Sequence, residues 1–298
     1  MKKKLCLLCS VMFSLLILLN PCALAEDYVL RYSYSTQLTY LDGTFLPPSP
    51  LSREQLSQPL NLFVQNETSV DDTCMLLCFL NGHLVPYSID EQLYDQYQFE
   101  TPSNTAVNLG FSLDLSQTDI PDESVLYIVT VGLLDTVPAH VFDSVGLFSN
   151  YIAIPLRSDS PALQPKNNAN WQEYPSSREV RPMYVYYPFS PDALEDETGK
   201  FQADGTPEGG YDLTLVAEGD GTPLMIALMV DHQLTPLNDD GILTLISSPE
   251  KLYTYTAHLD LSPGTHQLYC IYMSVPSHPG VWNSDKLLIH IPEGAEAK

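Results

Sequence analysis

Two kinds of apolar pattern recur along the chain. Phe111, Leu113 and Leu115 alternate with Ser112 and Asp114, and Leu259 and Leu261 alternate with His258 and Asp260. A period of two marks a strand with one wet face. Met75–Leu80, Val125–Val131 and Tyr151–Ile154 are instead apolar at almost every position, and Met225–Val230, Gln267–Met273 and Leu287–Ile291 are nearly as dense. Such density predicts strands that are covered on both faces. Asn81-Gly82, between two apolar runs, predicts a hairpin through a type I′ turn, because both residues tolerate positive φ; Asp231-His232 fills the same place further along. Pro121-Asp122-Glu123 and Pro263-Gly264 predict turns before the next strand. A single helical turn is predicted at Ser88-Ile89-Asp90-Glu91, which fits a capping box.

The patterns occur twice. "LLCFLNGHLVPYSID" (76–90) returns as "IALMVDHQLTPLNDD" (226–240), an offset of 150. Leu62-Phe63-Val64 matches Leu213-Thr214-Leu215. "LDLS" recurs at 113–116 and 259–262, "LYIVTV" (126–131) as "LYCIYM" (268–273), and "SNYIAIPL" (149–156) as "SDKLLIHI" (284–291). Matched segments in one order, with length changes only between them, indicate a duplicated domain. About seven short strands in roughly 110 residues per copy resembles an immunoglobulin-like sandwich. The expected fold is therefore all-β, two tandem immunoglobulin-like β-sandwiches arising from an internal duplication. Residues 26–157 form the first and 183–298 the second. Residues 158–182, rich in Pro, Ser and Asn, read as a linker that Trp171 and Tyr174 tack onto a domain.

In such a sandwich the three dense strands lie side by side in one sheet, so each copy carries a sheet that is apolar on its outward face. A bare face of that kind exceeds the few hundred Å² of apolar patch usual on a soluble protein. Tyr127, Val129, Tyr269 and Ile271 are the residues assigned to it. Either the two faces cover each other, or they meet a protein partner or a second copy of the chain. A register slip of one residue would put Leu126, Ile128, Leu268 and Cys270 outward instead.

Composition narrows the setting. Met1–Ala25 opens with three lysines, continues as an apolar run from Leu5 to Leu19 and closes on Ala23-Leu24-Ala25, the pattern of a cleaved export leader. The run is short for a span of about 20 residues. The leader takes three lysines and no acid with it, leaving 10 basic and 37 acidic residues, a formal −27. That charge disfavours nucleic acid and anionic lipid, so neither nucleic-acid binding nor membrane insertion after leader cleavage is expected. The expected location is extracellular, or periplasmic if the envelope has two membranes. Cys74 and Cys78 share one strand, about 13 Å apart and too far for a bridge. With Cys270 they replace aliphatic residues in apolar runs, so free, buried thiols are expected.

Catalytic signatures are missing: there is no G-x-S-x-G, H-E-x-x-H or phosphate-cradling loop. No catalytic residue, metal site or cofactor is expected, and the acidic stretches at 218–221 and 238–241 lack the spaced carboxylates of a calcium loop. His266, in "PGTHQLYC", falls where an immunoglobulin-like domain has its corner tyrosine, a polar ring tied to nearby backbone. The expected function is a secreted, non-catalytic module for protein interaction or surface assembly. Polysaccharide binding through exposed aromatics is the alternative, with Trp282, Trp171 and Tyr186 as stacking residues.

Overall fold

The computed structural model describes residues 34–68, 70–116, 118–132, 134, 148–159, 166–175, 185–186, 210–218, 221–239, 241–249, 251–274, 280–284 and 286–291. The export leader expected at 1–25 lies outside them. Among the described residues no helix is long and apolar enough to cross a membrane.

The first sandwich comprises β1 (Tyr34–Tyr40), β2 (Leu60–Asn66), β3 (Asp72–Leu80), β4 (His83–Leu84), β5 (Tyr87–Ile89), β6 (Gln92–Tyr94), β7 (Gln96–Thr101), β8 (Thr105–Leu113), β9 (Val125–Gly132) and β10 (Phe148–Pro155). One sheet runs β1-β2-β8-β5-β6; the other runs β10-β9-β3-β4, with β7 also on β3. The second comprises β11 (Gln172–Pro175), β12 (Val185–Tyr186), β13 (Gly210–Glu218), β14 (Pro223–Val230), β15 (Gln233–Thr235), β16 (Leu243–Ile246), β17 (Lys251–Asp260), β18 (Gly264–Ser274), β19 (Gly280–Asn283) and β20 (Leu287–Ile291). Its sheets run β11-β17-β13-β12 and β15-β14-β18-β19, with β16 on β14 and β20 on β18. The chain is thus a tandem β-sandwich in which the second copy repeats the first. The dense strands gather in one sheet of each, β3, β9 and β10 in the first and β14, β18 and β20 in the second.

Pairing registers check the repeat. Met75 faces Val131 and Met225 faces Met273, as offsets of 150 and 142 require. The first strands slide by two residues: Leu60 faces Phe111 and Leu213 faces Ala257, so with the "LDLS" strands superposed Leu213 takes the place of Leu60, not Leu62. Both hairpin turns have positive φ at both central residues, 49° and 85° at Asn81-Gly82 and 48° and 63° at Asp231-His232.

One expectation is corrected. Ser88–Glu91 is not helical. Ser88 belongs to β5 and pairs with Ser112 of β8, while Asp90 and Glu91, at φ 49° and 68°, turn the chain into β6. Ladder bonds to β8 outweigh one isolated helical turn, which has a costly nucleus. The capping box that does form is at Ser52: its backbone N–H donates to Gln55 Oε1 at 2.8 Å, and its hydroxyl accepts from Gln55 N, opening the short helix α1 (Arg53–Leu56).

The described part of the expected linker is also more than a tether. Gln172–Pro175 forms β11 and pairs with Lys251–Thr254 of β17. The Trp171 indole N–H donates to the Thr244 carbonyl at 3.2 Å, and its ring centroid lies 5.5 Å from that of Tyr255. Pairing an open strand edge and covering a tryptophan recruit this segment into the second sandwich.

Candidate functional site

Strand alternation decides which side chains leave each core. Leu126 and Ile128 point into the first core, with Leu62, Leu76 and Cys78. Leu268 and Cys270 point into the second, with Leu215, Ile226 and Leu228. Tyr127, Val129, Tyr269 and Ile271 therefore stand on the outward faces, in the register assigned to them. All four are fully buried. They form a third apolar core with Met75, Leu77 and Phe79 of the first sandwich and Met225, Ala227 and Met229 of the second.

Of the covers expected for that face, the first is the one present. The face meets the other sandwich, so neither a protein partner nor a second copy has access to these four residues. Leaving such side chains wet would forgo about 1.5–3 kcal/mol each. A covalently linked face is present at a high effective concentration and takes the place of an external partner.

Polar bonds rim this joint. Tyr127 Oη donates to the Ser274 carbonyl, and Ser149 Oγ donates to Asn283 Oδ1 at 2.6 Å. Gln96 Nε2 donates to the His232 carbonyl at 2.8 Å, while Gln96 Oε1 accepts from Leu234 N at 3.3 Å. Lys286, almost fully buried, donates its ammonium to the Leu134 carbonyl at 2.8 Å. Burial raises the pKa of both Tyr127 and Tyr269, which keeps these phenols protonated.

The three cysteines are free and buried. Cys78 lies in the first core and Cys270 in the second. Burial raises all three thiols above their ordinary range, Cys74 to about 12. They are protonated packing groups.

His266 closes a clamp found in both copies. In the second, the Asp231 carboxylate accepts from Gln267 N at 2.8 Å and lies 2.6 Å from His266 Nδ1, while His266 Nε2 lies 2.8 Å from the Ser262 carbonyl. In the first, Asn81 accepts from Val125 N at 3.2 Å and donates to Ser124 Oγ at 2.8 Å, and Ser124 Oγ donates to the Pro121 carbonyl at 2.6 Å. The first residue of each hairpin turn thus anchors the start of the neighbouring strand. One copy uses neutral groups and the other an ionisable pair.

Both ring nitrogens of His266 face acceptors, so the imidazolium fits this place best. Burial alone would lower its pKa. The hydrogen bond to Asp231, the bond to Ser262 and the carboxylate's charge outweigh burial and raise it above 6.5. A raised folded pKa adds stability that is complete below about pH 6.5 and is lost as pH rises through the folded value. Asp231 is 48% exposed, so screening holds the effect to about 0.2–1 kcal/mol. Urea midpoints from pH 6 to pH 9 are expected to show the advantage of wild type over His266→Gln shrinking as pH rises. A difference that stays flat contradicts the charged clamp.

Trp282 lies in β19 and is 43% exposed. Its ring stacks on Tyr272, centroids 6.0 Å apart and planes at 19°, and lies over Gly280. Trp282 pairs with Tyr272 as Asn150 pairs with Thr130, so Asn150 is its counterpart in the first copy. The aromatic ring is therefore not a repeated core element. The side chain of Tyr186 lies outside the described residues, as do Asp220 and Asp240 of the two acidic stretches. Among the described residues no group of three or more His, Cys, Asp or Glu is placed to hold a metal ion.

No protein-family model and no curated protein matches the chain. Similar solved structures include the C-terminal domain of the Streptococcus pyogenes antigen I/II-family protein AspA, at 8% identity over 87% of this chain and 99% of that one, with a TM-score of 0.28. The E. coli chaperone DraB is 12% identical over 85% of this chain and 98% of its own, with a TM-score of 0.27. Red sea bream transglutaminase is 12% identical over 89% of this chain, with a TM-score of 0.23, and the chain spans 32% of that protein's length.

Proposed function

We propose that the chain is an exported, non-catalytic module that acts as one rigid body in protein interaction or surface assembly. The observation that carries this reading is the apolar core shared by the two sandwiches. Two domains joined by a tether reorient freely, whereas two joined through buried Tyr127, Val129, Tyr269 and Ile271 hold their outer surfaces at a fixed geometry. A spacer or a docking platform needs that property. The acidic surface and the basic, apolar start of the chain support export.

The test is fractionation of producing cells together with turnover assays on the purified chain. The expected result is a product beginning at Glu26 outside the cytoplasmic membrane, monomeric, with no turnover of ester, peptide, glycoside or phosphate substrates. Retention of residues 1–25 inside the cell overturns export. Sustained turnover abolished by a single substitution overturns the non-catalytic reading.

Polysaccharide recognition is the second reading. The half-exposed Trp282 favours it, because its counterpart in the first copy is Asn150 and packing alone does not require a ring there.

A further inference from the structure

The second sandwich carries a feature that its sister lacks. In the first, the β5–β6 hairpin lies along the edge of β8, Tyr87 facing Leu113 and Ser88 facing Ser112. The offset between the copies is 150 at Met75 and Met225. It has fallen to 146 where Gln98 and Thr244 pair with those same two methionines. The second copy has thus lost four residues from the hairpin region. β11 covers the edge of β17 only from Lys251 to Thr254. Beyond Thr254 no described strand pairs with that edge.

A groove of about 400 Å³ lies there, within the roughly 300–1,000 Å³ usual for small-molecule sites. Asn168, Asn170 and Gln172 line it from the segment leading into β11, Asn238 from the shortened loop, and Thr254–Thr256 from β17. Among the described residues no Asp, Glu, Lys or Arg lines it, in a chain where acids outnumber bases 37 to 13. That lining is neutral on a strongly acidic protein, which disfavours cations and anions alike. Its walls are nonetheless dense in donors and acceptors, amides and hydroxyls.

Part of that capacity is already used. Asn168 donates to the Ile242 carbonyl at 2.8 Å and accepts from Thr244 N at 2.6 Å, and Tyr255 Oη donates to the Leu237 carbonyl at 2.7 Å. These bonds hold the walls. Asn238 Nδ2 donates to the Asn168 carbonyl at 3.3 Å, yet its Oδ1 is buried without a hydrogen-bond partner. A buried acceptor left unpaired is costly. Tyr255, backed by Trp171, adds an aromatic surface beside the amides.

We infer that this groove binds a neutral oligosaccharide. Vicinal hydroxyls supply acceptors for the Asn170 and Gln172 amides, while the C–H face of a pyranose ring lies against Tyr255. An extended peptide added to the edge of β17 is the competing occupant, but it leaves the side-chain amides without a specific role. The inference does not rest on the joint between the sandwiches, which is elsewhere on the chain.

The test titrates the whole mature chain with neutral hexasaccharides, one each of β-1,4-glucan, α-1,4-glucan, β-1,4-mannan and β-1,4-linked N-acetylglucosamine. Polygalacturonate serves as an anionic control and a hydrophobic-polar alternating hexapeptide as a strand-forming control. Binding is read from tryptophan fluorescence and amide NMR shifts. At least one neutral sugar is expected to bind with a dissociation constant in the range of about 10 μM to 1 mM. Asn170→Ala with Gln172→Ala, on exposed side chains, is expected to weaken it about tenfold or more at an unchanged melting temperature. Trp282→Ala is expected to leave it intact. Four outcomes overturn the inference: no shift with any neutral sugar at about 10 mM, binding lost only in Trp282→Ala, preference for the polyanion, or shifts along β17 produced by the peptide alone.

Discussion

Val129→Asp and Ile271→Asp are each expected to lower stability by about 3–5 kcal/mol, because either one places a carboxylate with no partner in a fully apolar layer. Both positions are completely buried, and their surroundings in the joint are Met, Leu, Ala, Val, Phe, Tyr and Ile side chains. A desolvated carboxylate has its pKa raised. The neutral acid is cheaper to bury, so the loss relative to wild type is expected to be smaller at pH 4 than at pH 7. Urea unfolding at both pH values, with sedimentation of the folded fraction, checks this. The wild type is expected to be monomeric. A wild-type dimer that dissociates on Val129→Asp with its unfolding midpoint unchanged would mean that the face meets a second copy and not the other sandwich.

That prediction shows where sequence reasoning reaches its end. The density of Val125–Val131 and Leu268–Met273 reveals that both faces of those strands need cover, and the period-two rule then sorts Tyr127 and Val129 from Leu126 and Ile128. What supplies the cover is a matter of tertiary docking, which no local pattern encodes. A partner protein, a second copy and the sister sandwich all satisfy one apolar face equally well. Only the placement of Gln96 against His232 and Leu234, or of Ser149 against Asn283, distinguishes them, and those pairs join residues more than 130 positions apart. The same reason hid the groove. Asn170 and Asn238 lie in two polar loops and Gln172 opens β11, and only the shortened loop and the docking of β11 on β17 bring them together.

Local ambiguity explains the helical turn expected at Ser88–Glu91. Ser88-Ile89-Asp90-Glu91 satisfies the helix-start pattern, but Asp90 also tolerates positive φ, and in the fold both Asp90 and Glu91 adopt it. The strand on one side and the strand on the other decide between the two. At Ser52–Gln55 the same pattern does open a helix, with no neighbouring strand competing for those residues.

The last expected result concerns Gly82. A type I′ turn alone does not demand glycine at its second position, since His232 adopts φ 63° at the equivalent place in the second copy. The demand comes from the joint: a Cβ at Gly82 would lie 1.8 Å from Met225 Sδ and 2.8 Å from its Cγ, and Met225 is itself buried. The hairpin tip of the first sandwich approaches the second so closely that any side chain there must displace Met225. Gly82→Val is therefore expected to cost about 2–5 kcal/mol, of which about 1–2 is the left-handed backbone of a β-branched residue and about 1–3 is overpacking against Met225. The two parts separate in a double-mutant cycle. Met225→Ala destabilises by itself, but it leaves room for the valine, so the double variant is expected to be about 1–3 kcal/mol more stable than the sum of the single losses predicts. Urea midpoints of the four proteins measure it. Strict additivity would show that the turn and Met225 do not touch, and with that contact would go the close docking of the two sandwiches at this end of the joint.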